Sequence, residues 1–212
     1  MIAVLRLRSA IVFVAAAGAA GALAADSNDA VQRAEETVRE SFAKATPEEW
    51  KTRLEQDTMQ SACSRYRNQP PQQIAEQIMA DAQQSIRYPE DGKLLGDWRE
   101  GEKLAQIGTG GQVSRIQPEP ADRKRGGNCY ACHALAANEV AAGNLGPSLT
   151  GYAKQRGTSA DSIKYTYQKI YNAQAFFACS NMPRFGHNGW LTPKQIADTV
   201  AFLLDPASPV NK

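Results

Sequence analysis

The stretch Cys129-Tyr130-Ala131-Cys132-His133 decides how this chain of 212 residues is interpreted. It has the C-x-x-C-H pattern, in which two cysteine thiols attach a haem covalently through its vinyl groups. Cysteines with this spacing lie near one face of a helical turn, so both thiols reach the same porphyrin. The histidine that follows is then placed as an axial ligand of the iron. We therefore predict one covalently bound haem c, attached at Cys129 and Cys132 and ligated by His133.

The iron needs a second axial ligand on its far side, and Met182 is the main candidate. It lies in the sequence Asn-Met-Pro-Arg-Phe-Gly at 181–186, shortly before the last predicted helix. A thioether is a soft, neutral ligand, and His/Met ligation raises the reduction potential of a haem. The alternative is that Met182 fills a gap in the core. Position favours the ligand, because Met59 and Met79 lie in a polar N-terminal region.

Two other residues compete with Met182 for the iron. His187 is the only histidine besides His133, and it would ligate only if the loop were rebuilt. An exposed imidazole is the commoner state of such a residue. A Cys179 thiolate would make the iron more electron-rich and would lower its potential. We therefore expect Met182, rather than His187 or Cys179, to complete the ligand set.

The histidine ligand also needs a partner for its second ring nitrogen, usually a carbonyl or carboxylate. The dipeptide Gly146-Pro147 follows His133 after a short loop. Pro147 has no N–H, so a carbonyl here would face the ring without a competing backbone donor. We predict that the Pro147 carbonyl binds the His133 ring. The other interpretation is a plain turn, and the two are compatible.

Cys63 and Cys179 remain as an even pair of cysteines. In an oxidising compartment such a pair is by default a disulfide. The alternative is that one of them is a reactive or iron-binding thiol.

An oxidising compartment is predicted by the first 25 residues. Arg6 and Arg8 precede an uncharged Ala-rich run, and Ala22-Leu23-Ala24 is an A-x-A cleavage site. This is the pattern of a secretory signal peptide, and the run is shorter than the ~20 residues that span a bilayer. The alternative is a membrane anchor. We expect a periplasmic protein with no membrane span after cleavage.

Loss of the signal peptide also changes the charge. The whole chain has 24 Lys+Arg and 22 Asp+Glu, and removal of Arg6 and Arg8 leaves the mature chain formally neutral. This balance gives no support to nucleic-acid binding. Three cations, Arg123, Lys124 and Arg125, precede the haem motif. They form either a patch that steers an acidic electron-transfer partner or a solvated loop.

The rest of the chain predicts helices and no strands. Residues 26–92 are expected to form a polar helical extension, with helices starting at Asp29 and Thr46 and a third following Pro70-Pro71. Its narrow apolar stripes need a larger body to pack against. Residues 93–212 are expected to form the haem domain. There, Gly101 lets another helix approach closely, and Thr192 caps the last helix.

From Leu94 to Pro206 the order of parts resembles class I cytochrome c. This order is a Gly-containing helix, C-x-x-C-H, a Gly-Pro turn, a methionine loop and a terminal Thr-Pro helix. The resemblance implies an all-α fold with the first and last helices crossing near the haem. The extension is additional to that fold.

A narrower resemblance is to the SoxX family, the small cytochrome subunit of the periplasmic SoxAX complex of sulfur-oxidising bacteria. It rests on residues 127–133, GNCYACH, residues 143–152, GNLGPSLTGY, and residues 181–186, NMPRFG. It implies a heterodimer with a SoxA subunit, which together act as an L-cysteine S-thiosulfotransferase. That enzyme joins thiosulfate oxidatively to a cysteine of the SoxYZ carrier.

In this family the catalytic haem belongs to SoxA. The resemblance therefore assigns no catalytic residue to this chain, which passes electrons from its His/Met haem to a soluble cytochrome c. Two alternatives share the same haem chemistry: a free-standing electron shuttle, and a haem-based sensor. The sensor requires an open or easily displaced sixth position, which Met182 argues against.

Overall fold

The computed structural model describes residues 17–109, 120 and 122–212, and their side chains from Asp29 onward. Every regular element in these ranges is helical, and none of them contains a strand, so the predicted all-α class is confirmed. The chain divides into two compact units, residues 1–44 and 45–212. Most of the predicted extension therefore belongs to the same unit as the predicted haem domain.

The first unit is described by helix α1, Ala17–Ser41. The predicted start at Asp29 is wrong, because the helix begins upstream and passes through the proposed cleavage site without a break. The cause is the Ala-rich run, since alanine is the strongest helix former. Asp29 instead pairs with Arg33 one turn further on. Residues 1–16 of the predicted signal peptide lie outside the described residues, and cleavage stays a prediction.

Three helices precede the haem domain in the second unit. Helix α2, Pro47–Glu49, is capped by Thr46 as predicted and continues into a wider π turn, Trp50–Leu54. Helix α3, Thr58–Arg65, was not predicted, and Asp57 caps it in a reciprocal capping box with Gln60. Helix α4, Gln72–Gln84, matches the predicted third helix.

This part of the extension is fastened to the rest of its unit by side chains. The Tyr167 hydroxyl donates to the Arg87 carbonyl at 2.7 Å, and the Asn172 amide donates to the Ser85 hydroxyl at 3.1 Å. A disulfide joins Cys63 of α3 to Cys179. Buried polar bonds of this kind fix one docking arrangement, because leaving such groups unpaired costs free energy.

The haem domain is built around two crossing helices, α5, Trp98–Gln106, and α8, Pro193–Leu204. A Cβ at Gly101 would lie only 2.6 Å from the Asp198 carbonyl carbon and 2.8 Å from Phe202 Cβ, so the predicted close approach occurs here. Thr192 caps α8 through a capping box with Gln195, and Pro193 occupies its first turn.

Two further helices, α6 at Tyr152–Arg156 and α7 at Ala160–Tyr171, complete the fold. They were not predicted. The core of this unit contains side chains from α5, α7 and α8, together with Leu135 and Phe185 from the loops. None of the described helices, α1 included, combines the length and apolar character needed to cross a membrane.

Candidate functional site

The C-x-x-C-H segment forms a tight turn. Cys129–Ala131 is one turn of 3-10 helix, entered through Asn128 in the left-handed conformation at φ 46°. The His133 amide donates to the Cys129 carbonyl at 2.9 Å, which places the histidine one turn beyond the first cysteine. Neither Cys129 nor Cys132 is in a disulfide, and burial raises the pKa of the Cys129 thiol to about 11. Both thiols are therefore free for attachment.

The imidazole of His133 is oriented by the loop that follows it. Its Nδ1 lies 2.7 Å from the Pro147 carbonyl oxygen. A carbonyl only accepts, so Nδ1 carries the proton and Nε2 is left with its lone pair for a metal. A Cβ at Gly146 would lie only 2.8 Å from Nε2 and closer still to other ring atoms, so the loop approaches the ring through a glycine.

His133 and Met182 line the same cavity. Its volume is about 400 Å³ when the space open to solvent is included. Cys129 also lines it, whereas Cys132 is not among the lining residues. The remaining lining side chains are almost all apolar: Ala105, Leu135, Leu149, Ile170, Phe185, Leu191, Thr199, Phe202 and Leu203.

These residues fit a haem. An apolar wall suits the porphyrin, a buried thiol lies at the edge, and the two candidate axial ligands bound one space. Iron in such a ligand set supplies a one-electron redox couple. The chain's own residues would hold the group, orient the imidazole and keep water from the metal.

The two rival ligands lie elsewhere. Cys179 is bonded to Cys63. His187 does not line the haem cavity, and its Nε2 lies 3.8 Å from the Asp57 carboxylate. Burial and the nearby Arg184 charge lower the pKa of His187, although Asp57 acts in the opposite direction. Of the three candidates, only Met182 bounds the cavity together with His133.

The basic segment beside the motif is partly stacked. Arg123, Lys124 and Arg125 are all exposed, but the Arg125 guanidinium lies 5.2 Å from the centre of the Trp190 ring. The Trp190 indole N–H donates to the Gly126 carbonyl at 2.7 Å. This arrangement fixes the end of the loop that leads into Cys129. Residues 110–119 and 121 of that loop lie outside the described residues.

One feature of the site was not predicted from the sequence. Arg184 is 6% exposed, and its guanidinium forms a 2.7 Å ion pair with Asp57 of the extension. Burial raises the pKa of Asp57, but hydrogen bonds from the Gln60 backbone amide and from Arg184, together with the nearby Arg184 and His187 charges, lower it by more in total. The capping box at Asp57 was readable locally, whereas its pairing with Arg184 depends on the fold.

No cluster of three metal-ligating side chains occurs in the described part of the chain.

Comparison with known proteins agrees with this geometry. A profile of the family Cytochrome c matches residues 124–205. An uncharacterized lipoprotein of Aquifex aeolicus is 43% identical over 158 residues, which cover 74% of this chain and 73% of the lipoprotein.

Helices packed around an apolar crevice, with a C-x-x-C-H histidine and a methionine on its walls, define an electron-transfer haem protein of the c type. The chain belongs to the same family as the Aquifex aeolicus lipoprotein, and its residues 124–205 are a cytochrome c domain. Covalently bound haem c is the cofactor that this domain implies.

Proposed function

We propose that this chain is the electron-transfer subunit of a SoxAX-type complex in the periplasm. In this role it accepts electrons released when thiosulfate is joined to a SoxYZ cysteine, and it passes them to a soluble cytochrome c. The enzymatic haem is assigned to a SoxA partner, so this chain contributes redox capacity and no catalytic side chain. The observation that carries the electron-transfer role is the apolar cavity bounded by both His133 and Met182.

The finer assignment to SoxAX rests on sequence likeness in three segments, 127–133, 143–152 and 181–186. Two of these segments supply the cavity's candidate ligands. The middle one supplies the Pro147 carbonyl that orients the His133 imidazole. Residues that build the haem site therefore account for most of the resemblance.

Export to the periplasm is supported by three observations. The first 25 residues have the pattern of a cleaved leader, and the cytochrome c domain is of a kind typically found outside the cytoplasm. A third is the name of the Aquifex aeolicus relative, which describes it as a lipoprotein.

A partner subunit is supported by exposed apolar side chains near the haem-ligating histidine. Val140 is 98% exposed and Leu145 is 86% exposed, in the loop that leads to Gly146. Exposed apolar side chains grouped in one loop favour a contact surface. A stable interface of this kind would bury at least ~1,000 Å².

The test is purification from the native periplasm of sulfur-grown cells. The complex predicts that a second c-type cytochrome travels with this chain through two chromatographic steps. Leu145→Asp should release that partner, because a charge in an apolar contact is costly, and it should leave the haem spectrum unchanged. Phe177→Asp is the matched control, since Phe177 is also exposed, at 68%, but lies in a different loop.

Recovery of a lone monomer from such cells would contradict the complex and favour the free-standing shuttle. A deletion strain separates the two further. Loss of thiosulfate oxidation that is restored by the wild-type chain supports the SoxAX role, whereas normal oxidation in the deletion strain contradicts it.

A further inference from the structure

We infer that α3 and its cap position Met182, so that Asp57 and Cys63 are positioning residues for the axial methionine. This inference concerns the haem site alone. It holds whether the electron partner is SoxA or another protein.

The extension is attached on both sides of Met182. Cys63 of α3 is bonded to Cys179, three residues before the methionine. Asp57, the cap of α3, pairs with Arg184, two residues after it. A short loop held at both ends to one helix has little freedom, because each attachment removes backbone conformations.

The attachment at Arg184 is costly to break because the cation is buried. Only 6% of Arg184 is exposed, and its Nη1 has no hydrogen-bond partner among the described residues. Asp57 is itself fixed, since its carboxylate accepts the Gln60 amide at 2.8 Å as the helix cap. Removing the Asp57 charge would leave the guanidinium buried without its ion pair, and the loop would have to move to hydrate it.

The other attachment holds backbone in an uncommon conformation. Cys179 has φ 60°, in the left-handed region that residues other than glycine seldom occupy. Such a conformation persists only where surrounding contacts enforce it. The bond to α3 is one of those contacts.

Met182 has open space beside it, so the two attachments are needed to hold its side chain in place. A second cavity, of about 680 Å³ when the space open to solvent is included, lies between α3 and the methionine loop, lined by polar side chains that include Gln60, Ser64 and Asn181. Met182 lines this polar cavity as well as the apolar haem cavity. Packing around Met182 therefore leaves room for its thioether to move away from the iron. The two attachments of the loop prevent that movement.

The remaining contacts of the extension provide an internal control. Ser85 docks the extension to Asn172, which lies ten residues before Met182 and outside the segment between Cys179 and Arg184, and Ser85→Ala removes that bond. A merely structural role for the extension predicts the same phenotype for Ser85→Ala and Asp57→Asn. The positioning role predicts different ones.

The experiment compares full-length, haem-loaded wild type with Asp57→Asn, Asp57→Glu and Ser85→Ala. It measures the rate at which imidazole replaces methionine on the ferric iron, the absorption band of methionine–iron coordination, and the reduction potential. Asp57→Asn should raise the imidazole rate by about tenfold or more, because an unpaired buried charge favours the open loop. It should also weaken the band and lower the potential, since methionine ligation raises it. Ser85→Ala should leave all three readouts unchanged, and Asp57→Glu should restore them in part.

The double variant Cys63→Ala/Cys179→Ala tests the second attachment and should also accelerate imidazole binding. This double variant keeps the inference testable if Asp57→Asn yields no haem-loaded protein. Asp57→Glu serves the same purpose, because it is a milder change at the same position. The inference is overturned if the variants that bind haem exchange methionine for imidazole at the wild-type rate. It is also overturned if Ser85→Ala accelerates imidazole binding as much as they do.

Discussion

At the scale of single residues, the His133 imidazole is fixed from two directions. The Pro147 carbonyl accepts a hydrogen bond from its Nδ1–H, and the Gly146 backbone passes close against its ring. The iron-facing nitrogen therefore has one orientation before any metal bond forms. This preorganisation lowers the entropic cost of ligation.

Gly146→Ala should disturb this orientation. The added methyl would overlap the ring, so the loop or the imidazole must move, at a cost of about 1–3 kcal/mol in unfolding free energy. We also expect an altered haem absorption spectrum, and guanidinium titration of the holoprotein measures the stability change. Gly92→Ala is the control for the spectrum only: its Cβ would meet nothing within 4 Å, so the spectrum should stay unchanged, while its φ of 69° strains an alanine there and lowers stability independently of the haem site. An unaltered spectrum in Gly146→Ala would contradict the role of Gly146.

The group of Asp57, Arg184 and His187 predicts a pH dependence of stability. Burial lowers the pKa of His187 below its ordinary value of 6.5, so between these values the unfolded chain binds the additional proton. Its contribution to stability is therefore complete above pH 6.5 and is lost as pH falls through the lowered pKa. The pKa of Asp57 is also lowered, from 3.8, and its contribution is lost in the same direction at lower pH.

His187→Gln should flatten the stability profile just below pH 6.5, by less than about 1 kcal/mol because the ring is partly exposed to solvent. Asp57→Asn should flatten it below pH 3.8. Denaturant titrations at a series of pH values measure both effects. A His187→Gln profile parallel to wild type across the first window would show that the imidazole titrates normally in the folded protein.

At the scale of elements, the crossing of α5 and α8 depends on one missing side chain. Gly101→Val should force these helices apart and cost about 1–3 kcal/mol of unfolding free energy. Gln106→Ala, at an exposed position of the same helix, should change it by less than about 0.5 kcal/mol. Equal losses in the two variants would mean that the crossing tolerates a wider spacing.

Sequence reasoning succeeded where the signal is local. Thr46 and Thr192 each precede a proline and cap the helices expected from that pattern. The box formed by Asp57 and Gln60 is equally local, so α3 was predictable and was overlooked. Helix α7 was missed because buried polar residues such as Gln168 interrupt its apolar pattern, and their burial depends on partners from the extension.

The residues of the site also divide into those that a local pattern predicts and those that it does not. His133 and Met182 were readable because their residue types sit in a recognisable order, and the structure places both on one cavity. The contact between Asp57 and Arg184 was not readable. Two charged residues 127 positions apart become partners only in the folded chain, and no local pattern encodes that choice.

At the scale of the whole molecule, the two compact units predict different tolerance to truncation. A chain beginning at Ala45 behind a substituted secretory leader should bind haem and unfold like the mature protein, because the second unit keeps the disulfide, the Asp57–Arg184 pair and the haem-site contacts. A chain beginning at Lys93 loses the disulfide and the Asp57 pair, and should be about 2–5 kcal/mol less stable. Thermal unfolding of both truncated holoproteins provides the measurement. Equal stability would mean that residues 45–92 do not stabilise the haem domain.

The disulfide joins the first and the last of the four cysteines, and the two thioether-forming ones lie between them in the sequence. Four cysteines allow three complete pairings, and only the one that joins Cys63 to Cys179 leaves Cys129 and Cys132 without a disulfide to either of them. Cys63 is synthesised first and meets Cys129 and Cys132 before its true partner emerges. If haem attachment converts those two thiols to thioethers first, Cys63 can no longer form a disulfide with either of them. Biogenesis should therefore be ordered, and cells unable to ligate haem should accumulate scrambled, protease-sensitive isomers of this protein.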